Sequence, residues 1–261
     1  MIAVVGDVHG EIVSLKELYY KLMDKYFIHR FVFLGDIIAK GNYSKEVVDY
    51  LIEMQGKILV TFIKGNHEQL LIDYMDKTNE PDYDWASRIG HTVTASFMGI
   101  SREEALTKSR EEVEAAIKPY LSFFKSFRDL YIENTTKHKF IFSHEDTPFF
   151  EDTPNELLKI CIEDELNRQN KHASNDALDK FVEKIDTKIS EFIIVHGHSA
   201  LVDKESTPEE LQNVEPKIMQ DDTGKILSIN LDTGCTYGGK LTAMIIDETG
   251  NFVFESVQCD T

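Results

Sequence analysis

Positive charge is scarce in this sequence: 28 lysines and arginines stand against 46 aspartates and glutamates in 261 residues, a formal net charge of -18. So acidic a surface repels nucleic-acid backbones and anionic membranes at long range, and neither is expected as a partner. A single phosphate held in a site that carries its own cations is not excluded. Long apolar runs are also missing, and none approaches the roughly 20 residues that a bilayer span needs. Cysteine is rare. Cys161, Cys235 and Cys259 have unrelated spacings and no CxxC pair, which argues against a disulfide framework or zinc knuckle and for a reducing, cytoplasmic setting. The opening MIAVV has neither a basic flank nor a small-residue cleavage site, and reads as a first strand rather than a signal peptide. No internal repeat, low-complexity tract or linker cuts the chain, so a single domain over residues 1–261 is expected.

What is present is a repeated pairing of an apolar run with a polar cluster. Ile2–Val5, Phe31–Leu34, Leu59–Ile63, Phe140–Phe142 and Phe192–Val195 are short and rich in β-branched and aromatic residues, as buried strands are. The clusters that follow them read GDVHG, GDIIAKG, KGNHE, SHED and HGHS. Helical spacing of Ile12, Leu15, Leu18 and Leu22, and of Val47, Val48, Leu51 and Ile52, predicts helices between the first three strands, hence parallel βαβ units. Loops at the carboxyl ends of such strands converge on one sheet edge. Residues from about 68 to 135 read mostly as helix, with a capping box at Ser101 and Glu104, and a second box at Thr153 and Glu156 opens another helix. Residues 203–225 read as loop. The runs Ile226–Leu231, Leu241–Ile246 and Phe252–Val257 are expected to be antiparallel strands.

Taken singly, each cluster is weak evidence, since Asp-x-His, Gly-Asn-His and His-Gly-His all occur in ordinary turns and surface loops. Their joint placement is stronger. Of nine histidines, His9, His67, His144, His196 and His198 directly follow predicted strands, as do Asp7, Asp36 and Asn66. Imidazoles, carboxylates and an amide oxygen at one edge form a ligand set for divalent metals, and burying Asp7 and Asp36 there without cations would be costly. His29, His91, His138 and His172 lack that context and read as surface or structural.

The series GDVHG, GD(x)4G, GNHE, SH and HGH, in this order, resembles the calcineurin-like metallophosphoesterase superfamily. The nearest branch is that of protein serine/threonine phosphatases and symmetrical diadenosine tetraphosphate hydrolases. Glu68-Gln69, Leu231-Asp232-Thr233-Gly234 and Tyr237-Gly238-Gly239-Lys240 fit that branch as well. The resemblance implies an α/β sandwich of two mixed β-sheets flanked by helices, with a helical insertion at about 75–135 and a variable helical segment at about 150–190. It also implies two metal ions (manganese, iron or zinc, with manganese favoured). Asp7, His9 and His198 would hold one, Asn66, His144 and His196 the other, and Asp36 would bridge them. His67 would be the general acid, and Lys40 with Asn66 would bind the phosphate.

One departure stands out. The family's second motif ends in Asp-Arg-Gly, and here Ala39 and Lys40 take the places of the aspartate that orients the catalytic histidine and the arginine that grips phosphate. Lysine keeps the charge but loses the bidentate fork, or can point to solvent. The implied function is a phosphomonoester or phosphoprotein serine/threonine phosphatase, with hydrolysis of dinucleoside tetraphosphates as one alternative and a non-catalytic metal- or phosphate-binding relative as another. Arg88 and Arg168 read more readily as surface salt-bridge partners than as phosphate ligands. Tyr237 either lines a cleft or packs, and Trp85, Phe97 and Tyr120 are more often core than base-stacking platforms.

Overall fold

The structure, a computed structural model, describes residues 1–76, 85, 89–145 and 192–260. The predicted box at Thr153, the segment at 150–190, Arg88, Arg168, His172 and Cys161 lie outside the described residues. Two five-stranded sheets stack on each other. The first has the order β10-β9-β1-β2-β3, with β1 Ile2–Val5, β2 Arg30–Phe33, β3 Leu59–Phe62, β9 Lys240–Ile246 and β10 Phe252–Gln258. The second has the order β4-β5-β6-β8-β7, with β4 Leu130–Asn134, β5 Lys139–Ser143, β6 Phe192–His196, β7 Lys217–Gln220 and β8 Ile226–Asn230.

Both faces of the inner strands are covered, which is why they carry unbroken apolar runs instead of alternation. Along β1, Ile2 and Val4 face the second sheet, packing with Phe140, Phe142 and Val195. Ala3 and Val5 face the helices α1 (Ile12–Lys25) and α2 (Ser44–Gln55), whose buried Leu15, Leu18, Leu22, Val47 and Leu51 complete the other core layer. Parallel pairing of β1 with β2 and of β2 with β3 puts the ends of all three strands at one edge. Parallel pairing of β5 with β6 and of β6 with β8 does the same in the second sheet.

Between β3 and β4 the chain is helical at Asn66–Asp76 (α3), His91–Met98, Arg102–Ala105, Arg110–Ile117 and Leu121–Phe124. The Ser101–Glu104 capping box forms, and a further one forms at Ser109 and Glu112. Trp85 stacks on Tyr74 and Phe97 meets Tyr120 edge-on, so these aromatics are core.

Three expectations need correction. The stretch read as loop at 203–225 contains a helix, Pro208–Asn213, and the strand β7. Strand β8 is antiparallel only to β7; its other neighbour, β6, runs parallel to it. Cys235 and Cys259 form a disulfide. They meet because the end of β10 returns to the Gly234–Gly239 turn, where the Cys259 N–H donates to Gly239 O at 2.9 Å. The pairing removes the ground on which a reducing, cytoplasmic setting was expected. A crosslink separated by 24 residues constrains the unfolded chain by about 3 kcal/mol. Dithiothreitol is therefore expected to lower the urea midpoint of the purified protein; an unchanged midpoint would mean the cysteines are unpaired in solution. No helix among the described residues is long and apolar enough to cross a membrane.

Candidate functional site

Each strand end delivers its side chains through a tight turn. Five non-glycine residues among those described have positive φ: His9 (47°), Asp36 (48°), Ala39 (70°), Lys40 (57°) and His198 (66°). All five belong to the predicted polar clusters. Such backbone costs about 1 kcal/mol or more per residue and persists where surrounding contacts enforce it. Those contacts are present: Val8 and His9 N–H donate to Asp36 O at 3.2 and 2.8 Å, and Gly41 N–H to His9 O at 3.0 Å. In the second sheet, Gly197 N–H donates to His144 O at 3.0 Å and Leu231 N–H to His196 O at 2.8 Å. Gly197 has to be glycine, since a Cβ there would lie 1.9 Å from Asp7 Oδ1.

Asp36 is the centre of the site. Its Oδ2 lies 3.7 Å from His9 Nε2, 3.6 Å from His67 Nε2 and 3.5 Å from His144 Nε2, and its Oδ1 accepts the His67 backbone N–H at 3.0 Å. Asp7 Oδ2 is 3.7 Å from His9 Nε2, and both Asp7 oxygens accept the His198 backbone N–H at 3.2 Å. On the other side, Asn66 Oδ1 is 3.1 Å from His144 Nε2 and 3.0 Å from His198 Nδ1. Two groups of potential ligands share Asp36: His9, Asp36 and His67 bring one donor atom each within 4.8 Å of one another, and so do Asp36, His144 and His198.

The imidazoles are oriented by main-chain carbonyls. His9 Nδ1 faces Ile38 O at 3.1 Å, His144 Nδ1 faces Leu34 O at 2.9 Å and His196 Nδ1 faces Gly197 O at 3.1 Å. A carbonyl can only accept, so each Nδ1 carries a hydrogen, and in the neutral ring the lone pair is on Nε2. Burial, with Lys40 and His67 beside it and against the pull of Asp36, pushes His9 down to about 3, so it is neutral. Burial acts on His144 in the same direction, but Asp36, with Asp7 and Glu68, outweighs it and holds His144 up at about 10. Burial and the charge of Asp232 raise Asp7 well above the carboxylate range. Burial also works to raise Asp36, but His144, His9 and His67 hold it far below that range.

The donor set fits divalent cations on the structure's own evidence. Four carboxylates, Asp7, Asp36, Glu68 and Asp232, are buried together at 3% exposure or less, and Asp232 Oδ2 is buried with no hydrogen-bond partner. Carboxyl groups buried this closely can all ionise only beside cations, and imidazole nitrogens with carboxylate and amide oxygens suit divalent metals.

Two arrangements differ from those implied by the resemblance. The His198 ring lies beside Asn66 and His144 instead of beside Asp7 and His9; only its backbone touches Asp7. His67 lies among the ligand atoms, its ring edge-on to His9 at 5.1 Å. His196, buried at the end of β6, is in neither ligand group. Lys40 points inward: its Nζ is 2.8 Å from His9 Nε2 and 5.5 Å from the centre of the Tyr237 ring.

A family model for calcineurin-like phosphoesterases matches residues 1–228. The chain belongs to that family. As a calcineurin-like phosphoesterase it is a phosphoric ester hydrolase. It is 24% identical to the bis(5'-nucleosyl)-tetraphosphatase PrpE (asymmetrical) of Oceanobacillus iheyensis, over 93% of this chain and 87% of that one. Two solved structures share the fold. A hypothetical protein of Pyrococcus horikoshii is 14% identical with a TM-score of 0.53, covering 100% of this chain and 89% of its own. The cold-active protein-tyrosine phosphatase of a Shewanella species is 15% identical with a TM-score of 0.50, covering 99% and 80%.

Three residues of this phosphoesterase site had no role from sequence reasoning. Glu68 is completely buried on α3, and its carboxylate accepts four main-chain N–H groups: Asp36 at 2.8 Å, Ile37 at 3.0 Å, Ile38 at 3.3 Å and Gly65 at 2.9 Å. Asp232 accepts the Gly234 N–H at 3.1 Å and lies near enough to Asp7 and Lys40 for charge to act between them. Arg102 Nη2 donates to Lys40 O at 2.9 Å and to Asn42 Oδ1 at 2.7 Å, tying the helical region to the Lys40 loop. The family motifs contain the first two residues, but nothing in them identifies which N–H or cation each one meets.

Proposed function

We propose that the chain is a dinuclear metal-dependent phosphohydrolase acting on phosphomonoesters, phosphoserine and phosphothreonine included. The observation that carries this reading is Asp36, set between two groups of ligand atoms. Asp7 and His9 would hold one cation and Asn66, His144 and His198 the other, with Asp36 facing both and His196 outside the two groups. When bound, two cations supply the charge that lets water lose a proton near neutral pH and that offsets negative charge on phosphoryl oxygens. His67 would give a proton to the leaving oxygen. The orienting aspartate of the family is Ala39 here, so the ring is positioned instead by the edge of His9 and by Asp36.

The test is steady-state hydrolysis of p-nitrophenyl phosphate and of a phosphoserine peptide, with and without manganese, by wild type and His67→Ala, alongside metal content. Loss of a general acid costs roughly a hundredfold or more. The loss is expected to be larger for the phosphoserine peptide, whose alkoxide leaving group needs the proton, than for nitrophenolate, and two cations are expected to remain bound. If His67→Ala instead loses a cation, His67 is a ligand. If metal-loaded wild type turns over no phosphate ester, the binding-relative reading takes over.

A second reading of the substrate, dinucleoside tetraphosphate, is favoured by the likeness to the Oceanobacillus tetraphosphatase over most of both chains. Diadenosine tetraphosphate assayed beside the monoesters ranks the two, and its products separate symmetrical cleavage to two diphosphates from asymmetrical cleavage to a triphosphate and a monophosphate.

A further inference from the structure

Lys40 and Asp232 are the two charged groups of the site that the proposed reaction leaves without a settled role. Lys40 follows the strained turn at Ala39, and both residues have left-handed backbone. Its carbonyl is held by Arg102, so the side chain is launched inward from a fixed point. Its ammonium lies 2.8 Å from His9 Nε2. Because His9 Nδ1 is committed to Ile38 O, Nε2 has the only lone pair that His9 can give to a metal. One lone pair cannot serve an ammonium hydrogen and a cation together. Asp232 offers the alternative partner: Oδ1 takes the Gly234 N–H, Oδ2 is buried with no hydrogen-bond partner, and the charge of Lys40 acts on this carboxyl.

We propose that Lys40 is a tethered cation with two positions, one on His9 Nε2 in competition with the metal on the Asp7–His9 side, the other on Asp232 Oδ2 once that metal is seated. The inference rests on the dinuclear reading above. It makes Lys40 a determinant of how tightly the second of two cations is held, and Asp232 the positioning residue that lets the site accept it. An arginine could not play this part, since its planar fork is spread over several donors where an ammonium is one compact charge.

The experiment is calorimetric titration of the metal-free full chain with manganese alone, without phosphate and at fixed pH, on wild type, Lys40→Met, Asp232→Asn and the double variant, with urea unfolding to confirm that each is folded. Wild type is expected to bind one manganese ion more tightly than the other. Removing a competing unit charge a few ångströms away is expected to tighten the weaker ion by about tenfold or more in Lys40→Met. Asp232→Asn is expected to weaken the same ion several-fold, and that effect is expected to vanish in the Lys40→Met background, as a double-mutant cycle reveals for groups that act through each other. Two-ion binding in Lys40→Met that is equal to or weaker than wild type would overturn the competition. An Asp232→Asn effect of the same size in both backgrounds would overturn the second position. Absence of manganese binding in wild type and Lys40→Met alike would overturn the dinuclear reading itself, and this inference with it.

Discussion

Asp36→Asn is expected to lower metal-dependent turnover by about a thousandfold while leaving the protein folded. Replacing ligands that merely support a metal's own ligands already costs 10- to 100-fold, and Asp36 stands closer to the chemistry than that. Its Oδ2 lies within 3.7 Å of His9, His67 and His144 Nε2 alike. Asparagine keeps an oxygen to accept the His67 backbone N–H, which Asp36 Oδ1 holds at 3.0 Å, so the turn itself should survive. It loses the charge and presents an amide where a bridging oxygen is needed, and amide nitrogen does not bind divalent cations. Manganese titration of the variant should therefore show at most one weak ion. Turnover within tenfold of wild type, with two ions bound, would remove Asp36 from the centre of the reading.

Glu68→Gln is expected to cost stability more than any other single isosteric change at the site. The two carboxylate oxygens of Glu68 each accept two main-chain N–H groups, Ile37 and Ile38 on Oε1, Asp36 and Gly65 on Oε2. Glutamine has only one acceptor oxygen, so its NH2 group would face two buried N–H donors. Each orphaned donor costs about 1–3 kcal/mol, or on the order of 2–6 kcal/mol together. Because those donors belong to the turn that carries Asp36 and the loop that carries Asn66, the same change should also degrade metal binding. Urea unfolding of the metal-free protein measures the first effect apart from the second. A free-energy change below about 1 kcal/mol would show that the four hydrogen bonds do not hold the two loops.

Glu68 also shows where sequence reading stops. It stood in plain view in GNHE, yet its four partners come from a turn some 30 residues earlier and from its own loop. That contact depends on how β2 and β3 pair, Phe33 beside Phe62, and not on any local spacing. Strand β7 escaped for a different reason. It is an edge strand with all four residues exposed, so it has neither an apolar run nor alternation to read. Strand β8 was legible as a strand but not in its direction, because its parallel neighbour β6 lies about 30 residues away in sequence, Val195 opposite Ile229.

The sequence by itself determined that buried strands end in polar turns, that the first three are joined by helices, and that a parallel sheet must bring those turns to one edge. Residue type and periodicity along a few turns of chain suffice for that, because the hydrophobic effect and backbone geometry act locally. Tertiary structure alone decided which atoms meet at the edge. The His198 ring stands with Asn66 and His144 while its backbone N–H reaches Asp7 across 191 positions, and Lys40 turns onto His9 instead of toward solvent. The pairing of Cys235 with Cys259 follows from the return of β10 to the Gly234 turn. Such contacts are fixed by strand register, by the left-handed turns and by the stacking of two sheets, and shifts of a few ångströms in any of these would reassign the partners without changing a residue.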